Sequence, residues 1–133
     1  MNEMIKFVNE YSVSNYGNDY NMCVDLTYKY PIKNESKCRT FISRLKSYLN
    51  KNNVFIDGIF VNEYDSNFSG LHNHLLLYSD SDFSTSKGLI FNYWKNIGLS
   101  NINQYDRKGN YGNYIVKHLN KTENNNWDFI MNL

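Results

Sequence analysis

Between Gly70 and Ser79 the chain reads Gly-Leu-His-Asn-His-Leu-Leu-Leu-Tyr-Ser. A short apolar run bounded by Gly on one side and Ser-Asp on the other is a β-strand with at least one buried face. Alternate residues of a strand project to opposite sides. His72 and His74 therefore point the same way, beside Leu76 and Tyr78, while Leu71, Leu75 and Leu77 point into a core. Two imidazoles side by side on a rigid strand can share a divalent ion. They can also be two polar residues on a solvated face, so the rest of the chain must decide. It holds only three histidines, and the third, His118, falls in a second suggestive segment.

Hydrophobic periodicity orders the chain around this strand. Residues 21–30 alternate, with Met22, Val24, Leu26 and Tyr28 on one face and Cys23, Asp25, Thr27 and Lys29 on the other, and Pro31 ends the strand. Asn34 or Ser36 caps a helix running to about Asn50, with Cys38, Phe41, Ile42, Leu45, Tyr48 and Leu49 at helical spacing. A second strand spans Val54 to about Tyr64, with Asp57, Ile59, Val61 and Glu63 on one face. The polar link 65–70 makes it a hairpin partner of the histidine strand, which brings Glu63 and His72, both at the loop end, close together. Residues 84–98 form a helix with a Leu89, Ile90, Tyr93, Trp94, Ile97 stripe, and Gly98 suits an αL stop. Residues 99–107 are strand-compatible, anchored by Ile102 and Tyr105.

The order strand, helix, strand, strand, helix, strand is the α+β, ferredoxin-like or split βαβ arrangement (βαββαβ). Its antiparallel sheet carries both helices on one face. First and third strands are central neighbours there, which puts Thr27 near the histidine pair. A further helix from about Asn113 places Tyr114, Lys117, His118 and Lys121 on one stripe. Such a stripe is commonly just a solvated face. Laid across the sheet's open face, the helix carries Tyr114 toward the histidines.

Length and charge bound the rest. At 133 residues the chain is one domain, with 1–20 and 122–133 as peripheral extensions. A net charge of +1 excludes a general basic field for nucleic acid, leaving Arg107, Lys108, Lys117 and Lys121 to track phosphates locally. Cys23 and Cys38 lack metal-type spacing and read as buried free thiols. No run reaches membrane length and no signal-peptide pattern opens the chain, so a cytoplasmic protein is expected. The apolar tail Trp127, Phe129, Ile130 either packs on the sheet edge or forms a self-association surface, the homodimer being favoured.

Taken together, Val24-Asp25-Leu26-Thr27-Tyr28, Leu71-His72-Asn73-His74-Leu75-Leu76-Leu77 and Tyr114-Ile115-Val116-Lys117 resemble, in order, the three motifs of the HUH endonucleases. Within them the chain is most similar to small single-tyrosine rolling-circle replication initiator (Rep) proteins of plasmids and viruses. The resemblance covers about Asn21 to Lys121, and Glu63 matches the place of a third metal ligand. In two places the chain departs from the pattern. Asn73 stands where an apolar residue is usual, and His118 stands where some relatives carry a second tyrosine.

The resemblance implies an enzyme that nicks and rejoins single-stranded DNA at a replication origin, leaving a 5′-phosphotyrosine and a free 3′-OH. Tyr114 is then the nucleophile and Lys117 its helper, with Tyr111 the substitute nucleophile. His72, His74 and Glu63 hold Mn²⁺ or Mg²⁺, a mixed N/O donor set suited to those ions. Thr27, Arg107, Lys108, His118 and Lys121 are candidate DNA contacts, and exposed tyrosines offer base-stacking surfaces. Strand opening and synthesis fall to a separate helicase and polymerase. Two alternatives stand beside this reading: a single-domain tyrosine transposase of insertion sequences, and a non-catalytic module that binds single-stranded nucleic acid.

Overall fold

The computed structural model describes residues 16–65, 69–105 and 126–133. Within them the chain runs β1 (Met22–Leu26), α1 (Glu35–Lys51), β2 (Ile56–Tyr64), β3 (Leu71–Ser79), α2 (Phe83–Trp94), β4 (Ser100–Gln104) and β5 (Trp127–Phe129). A single 3₁₀ turn, Ile130–Asn132, follows. The strands form one antiparallel sheet in the order β4-β1-β3-β2-β5. The first four strands thus take the ferredoxin-like βαββαβ arrangement expected from the pattern, with β1 and β3 as central neighbours. Among the described residues no helix is long and apolar enough to cross a membrane.

Both helices are started by a side chain that satisfies an otherwise orphaned N–H. Asn34 rather than Ser36 caps α1, its Oδ1 accepting from the Ser36 N–H at 2.8 Å. Asp82 caps α2, accepting from the Thr85 N–H at 3.1 Å and the Thr85 hydroxyl at 2.7 Å. The second helix stops at Trp94 instead of reaching Gly98. Backbone pairing to the end of β1 competes with further helix there: the Lys29 N–H donates to the Ile97 carbonyl at 2.7 Å. Gly98 is required for close approach, not for an αL stop, since a Cβ on it would lie 2.0 Å from the Thr27 carbonyl oxygen. Gly58 has φ +147°, and a Cβ there would meet the Leu76 carbonyl oxygen at 2.0 Å, so β2 can pass β3 only as glycine.

The main core fills the space between the sheet and both helices. Met22, Val24 and Leu26 of β1, Leu75 and Leu77 of β3 and Phe60 of β2 meet Ile42, Leu45, Leu49, Ile90 and Trp94. This is the inward set that alternation assigns to each strand. The opposite face carries a smaller cluster of Tyr20, Ile59, Val61 and Leu76, with Tyr78, Tyr105, Trp127 and Phe129 against it. Cys23 and Cys38 are buried free thiols, as expected.

The tail takes the sheet-edge position. β5 pairs with β2 (Ile59 with Phe129, Val61 with Trp127), and Ile130 is fully buried in the main core. These are the apolar residues from which a self-association surface was expected. What reads as a peripheral extension is therefore, from Trp127 onward, part of the sheet and core. Lys46 of α1 donates to the carbonyl oxygens of Ile130 and Leu133, and Arg39 pairs with Asp128. Partial burial pushes the Asp128 carboxyl up, but hydrogen bonds from Arg39, Asn132 and the Phe129 N–H outweigh it and hold the group below its usual value.

A depressed carboxyl stabilises the fold above the unfolded-state pKa and loses that contribution as pH falls through the folded one. Asp128→Asn is expected to cost about 1 kcal/mol near neutral pH, the pair being partly solvated. The difference from wild type in urea denaturation should shrink progressively as pH falls below about 4. A pH-independent difference refutes an ionic contribution from Asp128.

Candidate metal centre

At the loop end of the β2–β3 hairpin, strand register decides which polar groups meet. Glu63 lies directly opposite His72, and Val61 opposite His74. Cross-strand partners project to the same face with their Cβ atoms about 5 Å apart, so a long carboxylate on β2 reaches both imidazoles. Glu63 Oε1 lies 3.1 Å from His72 Nε2, and Glu63 Oε2 lies 3.9 Å from His74 Nε2. The two rings stand edge to face, 4.9 Å between centroids. One ligand atom from each of Glu63, His72 and His74 falls within 4.8 Å of the others. Ligand atoms about 2.1 Å from a shared ion stand about 3–4 Å apart. The donor set thus fits a divalent cation with a small inward adjustment.

The far nitrogen of each ring is also held. Asp25 of β1, paired in register with His74, places Oδ1 2.6 Å from His74 Nδ1. Asp65, just past the end of β2, places Oδ1 2.9 Å from His72 Nδ1. Ionised carboxylates only accept hydrogen bonds, so these contacts put the proton on Nδ1 and leave Nε2 as the ligating atom. His74 is buried and His72 is partly exposed, its side chain retaining 22% of its accessible surface.

Sequence reasoning finds Glu63, His72 and His74 but passes over Asp25 in favour of Thr27. Alternation puts both residues on the histidine face. The register of β1 against β3, which alternation leaves open, sets Asp25 opposite His74. Thr27 is occupied elsewhere: its hydroxyl accepts from the Leu99 N–H at 3.0 Å and its carbonyl from the Trp94 indole at 2.8 Å. Arg107, Lys108, Tyr111, Tyr114, Lys117, His118 and Lys121 lie outside the described residues, as does the expected helix that carries Tyr114.

Asn73, between the histidines, is fully buried on the helix-covered face despite its polarity. Its amide is satisfied from three sides. The Tyr28 hydroxyl donates to Oδ1 at 2.6 Å, and Nδ2 donates to Asn62 Oδ1 at 2.5 Å and the Val61 carbonyl at 3.3 Å. Asn62 is in turn bridged to Asn126, whose Nδ2 donates to the Asn62 carbonyl at 2.9 Å. Burial, then the neighbouring Cys38, drives the Tyr28 pKa upward, so its phenol stays protonated as the donor this network needs. A satisfied buried amide costs little, whereas a half-satisfied one is expensive.

Titration of the metal-free chain with Mn²⁺, followed by calorimetry, is expected to show one site. Alanine at Glu63, His72 or His74 should each weaken it at least tenfold, with the far-ultraviolet circular dichroism unchanged. Wild-type affinity in the His72→Ala/His74→Ala double variant refutes the site.

The model of a family of replication-associated proteins, the ORF2 type, matches residues 21–123. That span includes all three candidate ligands, both supporting aspartates and the Tyr114–Lys117 segment. No curated protein and no solved structure matches the chain. With more than three quarters of its residues under that family model, the chain belongs to the ORF2-type replication-associated protein family.

Proposed function

We propose that this protein is a metal-dependent nuclease of the HUH type, cutting and rejoining single-stranded DNA at a replication origin with Tyr114 as nucleophile. The observation that carries the reading is the Glu63, His72, His74 cluster on one sheet face, in a chain of a replication-associated family. All of residues 1–133 are assigned to this one nuclease domain. Mn²⁺ and Mg²⁺ are the ions its mixed nitrogen and oxygen donors suit. When bound, such an ion supplies Lewis-acid stabilisation of charge on the phosphoryl oxygens and a template for the scissile phosphate.

The chain's own groups do the rest. The phenolic oxygen of Tyr114 attacks phosphorus in line, the Oη–P bond forms and the P–O3′ bond breaks. The phenol's proton is released, and the departing 3′ oxygen takes one up to become a free 3′-OH. One phosphoester replaces another, so rejoining needs no external energy source. A phenol with an ordinary pKa near 10 is mostly protonated at neutral pH, and Lys117, one helical turn on in sequence, favours its ionised form. Glu63, His72 and His74 orient the substrate only through what they hold, which is why their mutual rigidity matters. Base stacking on exposed rings such as Tyr30, 74% accessible with Lys29 over its ring at 5.7 Å, gives the single strand a sequence-tolerant grip.

Incubation of labelled single-stranded origin DNA with the protein and Mn²⁺, resolved on a denaturing gel, tests the reading. Wild type is expected to give a nicked product and a covalent protein–DNA species. Tyr114→Phe keeps the ring and should lose both, while retaining Mn²⁺ and DNA binding. A Tyr114→Phe protein that cuts without an adduct is a hydrolytic nuclease, and one that keeps the adduct uses another nucleophile, Tyr111 first.

Lys117→Ala should slow single-turnover cleavage by a factor of about 10²–10⁴ without abolishing it, the usual range for positioned proton-transfer or charge assistance. A rate equal to wild type across the pH range removes Lys117 from the chemistry.

A further inference from the structure

We propose that Asp25 and Asp65 are the positioning residues of this centre, each holding one histidine by Nδ1 so that Nε2 is committed to the ion. The inference rests on the metal reading of Glu63, His72 and His74. An imidazole without a fixed partner divides its proton between two nitrogens, and the form protonated on Nε2 cannot ligate through that atom. A carboxylate on Nδ1 selects the ligating tautomer, fixes the ring plane and raises the basicity of the ligand nitrogen. Both histidines have such a partner here, at 2.6 Å for Asp25 and 2.9 Å for Asp65. Neither aspartate joins the three-residue ligand cluster, because each sits on the side of its ring away from Glu63.

The two supports differ in kind. Asp25 is part of β1, in register with His74 through a ladder on both sides of the strand. His74 retains only 4% side-chain exposure, and Asp25 26%. Asp65 belongs to the hairpin connection, 47% exposed, held by its N–H on the Gly70 carbonyl at 2.8 Å and by the Ser69 hydroxyl at 3.2 Å. A hydrogen bond shielded from water is stronger and less easily replaced than a solvated one. His74 is thus the rigid ligand and His72 the adjustable one, and Asp25 carries more of the site's affinity than Asp65.

The test compares wild type, Asp25→Asn and Asp65→Asn by Mn²⁺ calorimetry and, in the metal-free state at about pH 8 where imidazole is neutral, by ¹⁵N imidazole NMR. Wild-type His74 is expected to show the Nδ1–H tautomer. Asp25→Asn should move that signature and weaken Mn²⁺ binding about 10–100-fold, and Asp65→Asn should alter His72 with a smaller loss of affinity. An Asp25→Asn protein with wild-type affinity or an unmoved His74 signature overturns the proposal. Should Asp25→Asn fail to fold, an Nε2–H tautomer at His74 in wild type overturns it alone. A wild type that binds no Mn²⁺ at all removes the metal reading beneath the proposal, and that failure is visible before any variant is made.

Discussion

The pairing of Glu63 with His72 across the β2–β3 ladder is the constraint on which the centre depends. A shift of one residue in that register turns every side chain of β3 to the other face. It would bury both imidazoles under the helices and expose Leu71, Leu75 and Leu77. The apolar burial of those leucines, at about 1.5–3 kcal/mol for a full side chain, therefore holds the histidines in place without touching them. Gly58 adds a second lock, since its close approach to the Leu76 carbonyl is possible at one register only.

Asn73 sharpens the same point. An apolar residue would fill its position more cheaply, because an amide must bring its own partners into the core. Here those partners come from three separate segments: Tyr28 after β1, Val61 and Asn62 on β2, and Asn126 before β5 through Asn62. Hydrogen bonds are directional where leucine packing is not, so the network specifies how these segments meet beneath the histidines. The clamp of Lys46 and Arg39 on the tail works from the outside toward the same end, keeping β5 against the strand that carries Glu63.

How much of this was legible in the sequence follows from the range of each interaction. Alternation along 21–30 and 71–79 placed the inward residues of β1 and β3 correctly, because period two is a local property. The helical stripes through Ile42 and Trp94 were readable for the same reason. Proximity of Glu63 and His72 followed from a hairpin with a short link. The pairing of Asp25 with His74 did not, because the two strands are joined by a helix, a strand and two connections, and no local pattern reports their register. Gly98 was readable as a stop but not as a close contact, since the Thr27 carbonyl it must avoid lies far along the chain. The place of the tail turned on the free edge of β2, which the sequence of the tail does not display.

The distances along the chain between the parts of the centre carry one more meaning. Glu63 and His72 are nine residues apart and His74 is two further on, so one hairpin supplies the whole donor set. Asp25 is 49 residues from the histidine it holds, and that contact exists only when β1 has docked beside β3. Hairpins close in microseconds, whereas contacts across such separations form late because the loop entropy must be met first. An ion meeting a partly folded chain thus finds its donors assembled before they are oriented, and holds them weakly. Completion of the sheet then tightens the grip, and by linkage the tighter grip favours the completed sheet. Metal affinity in this protein is, in that sense, a gauge of whether the domain has finished folding.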